Sequence, residues 1–179
     1  MNPVVRKAEA RDVPRMLELV RELALFERAP EEVTVSLEHM RDAGFGPRPV
    51  WVGWVAEERG RESTESNEST ESAEPGAPSG LLGMAVCYER YSTWRGRCLY
   101  LEDIVVTEKA RGRRLGEKLF KACAAFALEQ GHHHMLWQVL DWNTDAMRFY
   151  ARLGSTFDPK WVNGRMTREQ LERLVDSGG

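Results

Sequence analysis

Residues 101–106 read LEDIVV and residues 111–116 read RGRRLG, and these two runs decide the fold. The first run is a short apolar segment typical of a strand, and the second is a basic turn that opens a helical pattern. A helix N-terminus presents backbone N–H groups without intrahelical partners and the positive end of the helix dipole. Three arginines within four residues add full positive charges there. The spacing predicts an anion cradle that suits a pyrophosphate, with a solvated helix start as the alternative.

A second strand and helix follow downstream. Residues 135–140 form an apolar run that predicts a buried strand. Asn143 is a favourable N-cap and Gly154 a favourable C-terminal stop, so we expect a helix from Thr144 to about Leu153. Asn143 and Tyr150 are seven residues apart. Because that is about two helical turns, both side chains are predicted to point the same way.

The rest of the chain completes a three-layer α/β pattern. A helix after the basic turn carries apolar residues at helical spacing, so it is expected to bury one face on the sheet: these are Leu115, Leu119, Ala122, Cys123 and Phe126. The other expected elements are strands over residues 4–8, 50–56 and 81–88 and from residue 98, and helices capped by Asp12 and over residues 37–43 before Gly44. We expect a mixed sheet with helices on both faces.

Composition is that of one ordinary globular domain over residues 1–179. The chain is 42% hydrophobic and 30% charged. It has no apolar run of membrane-spanning length and no signal-peptide core. Cys87, Cys98 and Cys123 are odd in number and widely spaced, which fits neither a disulfide framework nor a zinc knuckle. We therefore expect reduced thiols, a cytoplasmic protein and no membrane partner.

An acidic low-complexity segment occupies residues 57–80. Residues 57–79 contain seven Glu and two Arg, a net charge of −5, against −3 for the whole chain and +2 for the remainder. Residues 63–68 and 69–74 are nearly duplicated hexads, and few apolar side chains accompany them. Such composition predicts a disordered insertion in a strand–strand loop.

Metal and nucleic-acid binding are not expected. His132, His133 and His134 are adjacent, but neighbouring strand residues face opposite sides and no further ligand set is suitably spaced. The body outside the acidic segment is only mildly basic and lacks a basic face interleaved with aromatic residues.

The two strand–helix units resemble the GNAT superfamily of acetyl-CoA-dependent N-acetyltransferases, through R-x-x-x-x-G, W-N and F-Y-x-x-x-G. Several further short motifs resemble those of the diamine (spermidine/spermine) acetyltransferases and their thialysine acetyltransferase branch. These motifs are Glu22–Ala24, Phe26-Glu27, Asp42–Gly46, Tyr91–Trp94, Tyr100–Asp103 and Val139–Asn143, and the resemblance runs from about Val4 to Arg165.

The resemblance implies a central sheet whose strands splay apart, with acetyl-CoA bound at the exposed strand edge and over the basic loop. It also implies a homodimer. The cofactor contacts that it implies are Ile104, Val105, Val106, Arg111, Gly112, Arg113, Arg114, Leu115, Gly116, Glu117, Asn143 and Tyr150.

The implied reaction moves protons. A primary amine has a pKa near 10.4, so it must lose a proton before it attacks a thioester. Glu102 matches the family glutamate that takes this proton through water, and Tyr150 would protonate the departing thiolate. Asp103 alternates to the opposite face of a regular strand, so we expect it to have a structural or substrate-orienting role. A backbone N–H near Val105 or Val106 would hold the oxyanion.

The acceptor is expected to be the primary amine of a small molecule. The implied substrate contacts are Phe26, Glu27, Ser92, Trp94, Glu102 and Asp103. Ser92 stands where spermidine/spermine enzymes carry Asp, which favours thialysine or a lysine-like amine over a substrate with a distal ammonium. A polyamine acetyltransferase and a coenzyme A sensor without turnover are the alternatives.

Two positions depart from the family pattern. Arg114 occupies a place where Gly is common and backbone approaches phosphate, and an arginine is tolerated there if its φ stays negative. Residues 151–160 are shorter than in the diamine enzymes and lack an acidic residue directly before Trp161.

Overall fold

The computed structural model describes residues 3–58 and 80–176. It divides the chain into two compact units, Met1–Gln138 and Val139–Gly179. Most of the expected acidic insertion, residues 59–79, lies outside the described residues. The residues on either side of it are Glu58 and Gly80, and the amide of Glu58 donates to the carbonyl of Gly80 at 2.9 Å.

The first unit contains a five-stranded mixed sheet. Its strands are β1 (Val4–Lys7), β2 (Val52–Glu57), β3 (Leu81–Ser92), β4 (Gly96–Val106) and β5 (Met135–Leu136). They lie in the order β1-β2-β3-β4-β5. Every neighbouring pair is antiparallel except β4 and β5, which are parallel. The predicted α/β class with a mixed sheet is confirmed.

Helices cover both faces of this sheet, as expected. They are α1 (Val13–Phe26), α2 (Leu37–Phe45) and α3 (Leu115–Glu129). One core, the α1-side core, contains Val13, Met16 and Leu19 of α1 with Val86 and Val105 of the sheet. The other, the α3-side core, contains Leu115, Leu119 and Cys123 of α3 with Leu99 and Leu101 of β4.

A β-bulge at Glu102 switches the two faces of β4. Val86 pairs with Asp103 and Cys87 pairs with Leu101, so Glu102 has no direct partner across β3. Leu101 packs in the α3-side core, and Val105 packs in the α1-side core. An extra residue resets the two-residue alternation of a strand. Asp103 consequently lies on the same face as its partner Val86, the face covered by α1.

The last strand is shorter than the apolar run at residues 135–140 predicts. Pairing between β4 and β5 consists of Leu99 with Met135 and Tyr100 with Leu136. The strand prediction for residues 137–140 is wrong. Trp137 instead packs its ring edge-on against Phe120 of α3 at 5.3 Å, and it lines the α3-side core.

Helix α2 also ends later than its glycine suggests. The sequence predicts a stop at Gly44, but α2 continues to Phe45 and Gly46 is its C-cap. Gly44 lies inside the helix. The Trp51 ring packs against it so closely that an added methyl group would overlap the ring. This glycine serves a close approach rather than a termination.

The second unit contains α4 (Thr144–Arg152) and α5 (Arg168–Asp176). The predicted N-cap is confirmed, since the Asn143 side chain accepts a hydrogen bond from the amide of Ala146 at 3.1 Å. Gly154 has φ of 89°, the left-handed conformation expected of a helix stop. The sequence analysis assigned no element at α5, whose nine residues include none that is buried.

A buried ion pair fastens the start of α1 to the sheet. The Asp12 side chain is fully buried and accepts two hydrogen bonds from the Arg6 guanidinium, at 2.7 and 2.9 Å. Arg6 also donates to Glu57 of β2 at 2.7 Å. Burial by itself would raise the pKa of Asp12, but hydrogen bonds from Arg6 and from the Glu9 amide outweigh it and hold the pKa below its usual value.

We expect Asp12→Ala to lower the free energy of unfolding by about 3 kcal/mol, because it leaves a partly buried guanidinium without its main partner. Urea unfolding at pH 7 measures this. A carboxyl with a lowered pKa stabilises the fold above its unfolded pKa and loses that effect as the pH falls through its folded value. The difference between the proteins should therefore shrink below about pH 4. Arg11→Ala, which breaks the exposed pair with Glu9, is the control and should cost less than about 1 kcal/mol; an equal loss in both variants would contradict the assignment.

Candidate functional site

The predicted strand–loop–helix arrangement is present at the end of β4. The amide of Thr107 donates to the carbonyl of Leu82 at 2.8 Å, and a single 3-10 turn over Glu108–Ala110 follows. The basic loop, residues 111–114, then leads into α3, whose first residue Leu115 is buried. Burial of Leu115 fixes the helix start against the sheet, so the basic loop is held beside the end of β4.

Arg114 adopts a left-handed backbone conformation, with φ of 59° and ψ of 21°. The condition under which the sequence analysis tolerates an arginine here, a negative φ, is therefore not met. A left-handed residue at the N-cap lets the chain turn sharply from Gly112, which has φ of 78°, into α3. For a residue with a Cβ this conformation costs about 1 kcal/mol or more. The Arg114 side chain makes no capping hydrogen bond to the helix.

The other two loop arginines have defined contacts. Arg111 Nε donates to the carbonyl oxygen of Val106 at 3.4 Å, and its guanidinium carbon lies 5.5 Å from the centre of the Phe26 ring. Arg113 Nη2 donates to Glu58 Oε1 at 2.9 Å. The basic loop is therefore tied to the end of β4, to the end of α1 and to the residue that follows β2.

The outer edge of β4 beside this loop is open. Pairing with β5 stops at Tyr100, and no strand in the described ranges pairs with the outer edge of Ile104–Val106. Val105 is buried and its two neighbours are half-buried. Unpaired strand edges offer backbone donors and acceptors to an extended ligand.

Three carboxyl groups form an acidic cluster at the bulge: Glu27, Glu102 and Asp103. Burial, followed by the charges of Glu102 and Glu27, raises the pKa of Asp103 to about 6. Burial also raises the pKa of Glu27. The expectation that Glu102 and Asp103 occupy separate faces assumed a regular strand. In the structure β4 is bulged between Leu101 and Asp103, and the charge of Glu102 acts on the Asp103 carboxyl.

Two tyrosines adjoin the acidic cluster and were missed by the sequence analysis. Tyr88 and Tyr100 are direct partners across β3 and β4, and their ring centres are 5.1 Å apart. Burial and then the charge of Glu102 raise the pKa of each phenol. Both phenols are therefore held in the neutral form that can donate a hydrogen bond. This pair could be identified only from the register of β3 against β4, which cannot be read from the sequence.

Ser92 and Trp94 lie elsewhere, at the tip of the β3–β4 hairpin. The Ser92 hydroxyl accepts from the amides of Trp94 and Arg95, each at 3.3 Å, and Trp94 is 83% exposed. Ser92 lies six positions along β3 from Val86, the partner of Asp103, which corresponds to roughly 20 Å of strand. Within one chain the structure does not place these two residues beside the acidic cluster.

Asn143 and Tyr150 belong to the second unit. Asn143 caps α4, and Tyr150 is a buried residue two turns further along, with its ring 5.1 Å from that of Phe149. The carbonyl of Tyr150 accepts from the amide of Leu153 at 2.9 Å. The predicted helix after Asn143 and its N-cap are therefore present.

Among the described residues, no group of three or more His, Cys, Asp and Glu side chains is arranged to hold a metal ion. Nor does any helix in residues 3–58 and 80–176 combine the length and the apolar character needed to cross a membrane.

Residues 54–155 match the model of the Acetyltransferase (GNAT) family. This span includes β4, the basic loop, α3 and α4, and it is more than half of the chain. The chain belongs to this family and is an acyltransferase.

Its relatives refine this placement. Over 175 residues the chain is 38% identical to the thialysine N-epsilon-acetyltransferase of Bos taurus, with 96% of each chain covered. It is 35% identical to the enzyme of the same name from Mus musculus, again with 96% of each covered. A human spermidine/spermine N(1)-acetyltransferase-like protein 1 is 29% identical over 93% of this chain and 23% of that protein.

Solved structures share the fold at low identity. An integron cassette protein of V. cholerae superimposes with a TM-score of 0.69 at 17% identity, covering 98% of both chains. An aminoglycoside acetyltransferase from an uncultured soil metagenomic sample gives 0.67 at 16% identity, covering 93% of this chain and 96% of that one. These likenesses concern the fold alone.

We expect Arg114→Gly to raise the free energy of unfolding by about 0.5–1 kcal/mol, because glycine adopts the left-handed conformation without strain while its own flexibility offsets part of the gain. Arg114→Ala removes the same charge and keeps a Cβ, so it should give no gain. Thermal and urea unfolding of both variants measure the difference. Equal stability of the two variants would show that backbone strain at residue 114 is negligible.

We expect Asp103→Asn to stabilise the protein at pH 7.5 by on the order of 1 kcal/mol, because an ionised carboxylate whose pKa is raised by folding destabilises the folded state. The gain should be full above pH 6, where the carboxyl is charged in both states, and should vanish as the pH falls below about 4. Unfolding curves from pH 3.5 to 8 test this. A stability difference independent of pH would contradict the electrostatic origin.

Proposed function

We propose that this protein transfers an acetyl group from acetyl-CoA to a primary amine of a small cationic molecule, thialysine or a related lysine-like amine. The observation that carries the proposal is the acidic cluster, which is connected to the basic loop through the end of β4 and the end of α1. Relatives named for thialysine acetylation, at 35–38% identity over nearly the whole chain, support the same choice. The family match runs from residue 54 to residue 155, which supports treating the chain as one acetyltransferase domain.

The donor side fits acetyl-CoA. The open outer edge of Ile104–Val106 suits the amides of a pantetheine arm, and the N-terminus of α3, which no side chain caps, suits a pyrophosphate. In this proposal the donor is held by residues 104–106 and 111–117 together with Asn143 and Tyr150. Arg113 exchanges its bond to Glu58 for a phosphate oxygen, an acceptor that carries more charge.

The acceptor side fits a cation. Burial and then the charges of Glu102 and Glu27 disfavour the ionised form of Asp103, and an ammonium placed among the three carboxyl groups relieves that repulsion. Phe26 adds an apolar wall next to Glu27. Ser92 and Trp94 would reach the acceptor only from a second copy of the chain, which supports the homodimer that the family resemblance implies.

The chemistry requires that the ammonium loses one proton before attack. Glu102 takes this proton through water, and Asp103 orients the nitrogen. Acetyl-CoA supplies the thioester carbon at which the new carbon–nitrogen bond forms while the carbon–sulfur bond breaks. A backbone N–H near Val105 or Val106 stabilises the oxyanion. The second nitrogen proton leaves to solvent, and Tyr150 protonates the sulfur and regains its proton from solvent.

The proposed setting is the cytoplasm. Cys87, Cys98 and Cys123 are all buried and unpaired with one another by disulfides. Free thiols in the core are typical of proteins that remain in a reducing compartment.

A panel assay with acetyl-CoA and thialysine, lysine, spermidine, spermine or putrescine tests the function, and we expect the highest kcat/KM with thialysine. Tyr150→Phe should lower kcat by on the order of 10² to 10⁴ while acetyl-CoA still binds, because the leaving thiolate loses its acid. Glu102→Gln should lower kcat/KM without abolishing acetyl-CoA binding, because the amine loses its proposed base.

Arg111→Ala provides the matched contrast, since it should raise the KM for acetyl-CoA with little change in kcat. A highest kcat/KM with a polyamine would replace the proposed acceptor. Binding of acetyl-CoA without turnover of any amine would make the chain a coenzyme A sensor. Full kcat in Tyr150→Phe would remove its role as the acid.

A further inference from the structure

The end of α1 contacts the basic loop through an aromatic ring. Phe26 is the last residue of α1 and is 40% exposed. The guanidinium carbon of Arg111 lies 5.5 Å from the centre of its ring, within the range of a cation–π contact. Arg111 also donates to Val106 at the end of β4. The ring and the strand end therefore hold this arginine from two sides.

Backbone hydrogen bonds and a left-handed residue fix the conformation of the turn that ends α1. The amide of Glu27 donates to the carbonyl of Leu23 and that of Ala29 donates to Ala24, each at 2.9 Å. Arg28 has φ of 62°, a left-handed conformation that is unusual for a residue with a Cβ. Leu23 packs against the α1-side core. A turn held in this way presents Phe26 and Glu27 at set positions.

Phe26 and Glu27 are adjacent but act on different parts of the site. Phe26 contacts Arg111 of the basic loop, whereas the charge of Glu27 acts on Asp103 of the acidic cluster. One helix turn thus connects the region assigned to the donor with the region assigned to the acceptor. Both connections lie within the first unit.

We propose that the C-terminal turn of α1, residues 26–28, couples the binding of the two substrates, with Phe26 as a positioning residue for Arg111. An ammonium bound in the acidic cluster fixes the position of Glu27, and the turn thereby fixes the adjacent Phe26. The Phe26 ring in turn keeps the Arg111 guanidinium where it contacts phosphate. The proposal rests on the proposed function. Because binding free energies are linked, the amine must tighten coenzyme A by the same factor as coenzyme A tightens the amine.

Coenzyme A is the probe, since it carries the phosphates but no acetyl group and permits equilibrium titration with the amine present. In the wild type we expect saturating thialysine to lower the Kd for coenzyme A at least about twofold. Phe26→Leu should raise that Kd about twofold to fivefold without amine, as expected from a partly exposed cation–π contact. It should also abolish the effect of the amine. Phe26→Trp retains a ring and should restore both properties.

Phe45→Leu is the matched control. Phe45 also ends a helix, is 37% exposed and meets another aromatic ring, that of Trp51, rather than an arginine. Its replacement should leave the Kd for coenzyme A unchanged. Combining Phe26→Leu with Arg111→Ala should weaken coenzyme A no more than Arg111→Ala does by itself, because the ring acts through that arginine.

The outcomes separate the two proposals. Acetylation of an amine by the wild type, with an unchanged coenzyme A Kd in Phe26→Leu, would overturn the coupling and leave the function intact. An additive loss in the double variant, or failure of Phe26→Trp to restore the wild-type values, would also overturn it. Absence of acetylation of every amine in the panel, with coenzyme A still bound, would overturn both.

Discussion

Glu102 is the one extra residue in β4, and the arrangement of the site depends on it. Upstream of the bulge, Leu99 and Leu101 pack under α3, while downstream Val105 packs under α1. A regular strand would have kept one set of side chains on each face throughout. The bulge allows β4 to fill both cores and still present Asp103 on the α1 face. The pairing with β5 stops two residues before it, at Tyr100, which leaves the outer edge of the following residues open.

Locally destabilising features occur where this edge of β4 lies near the end of α1 and the start of α3. Burial, followed by the charges of Glu102 and Glu27, raises the pKa of Asp103. Arg28 and Arg114 adopt left-handed backbone conformations at the end of α1 and the start of α3. Strain and repulsion of this kind persist only where packing over-determines the geometry. Here the two apolar cores and the buried pair of Arg6 with Asp12 provide that support.

Solved structures at 16–17% identity share the fold over nearly the whole chain, so the fold by itself does not identify the acceptor. On that fold this chain carries the acidic cluster, the left-handed arginine at position 114 and the Phe26 ring over Arg111. In the proposed function, the charges on the α1 face of the sheet select the amine.

The sequence by itself determined the strand, basic turn and helix around residues 101–116, the capped helix after Asn143 and the apolar face of α3. These features follow from local periodicity and capping, which act over a few residues. Tertiary structure decided the bulge at Glu102, the pairing of Tyr88 with Tyr100 and the contact between Phe26 and Arg111. Each of these joins positions far apart in the chain or depends on strand register, so only the packing of the whole sheet against its helices fixes it.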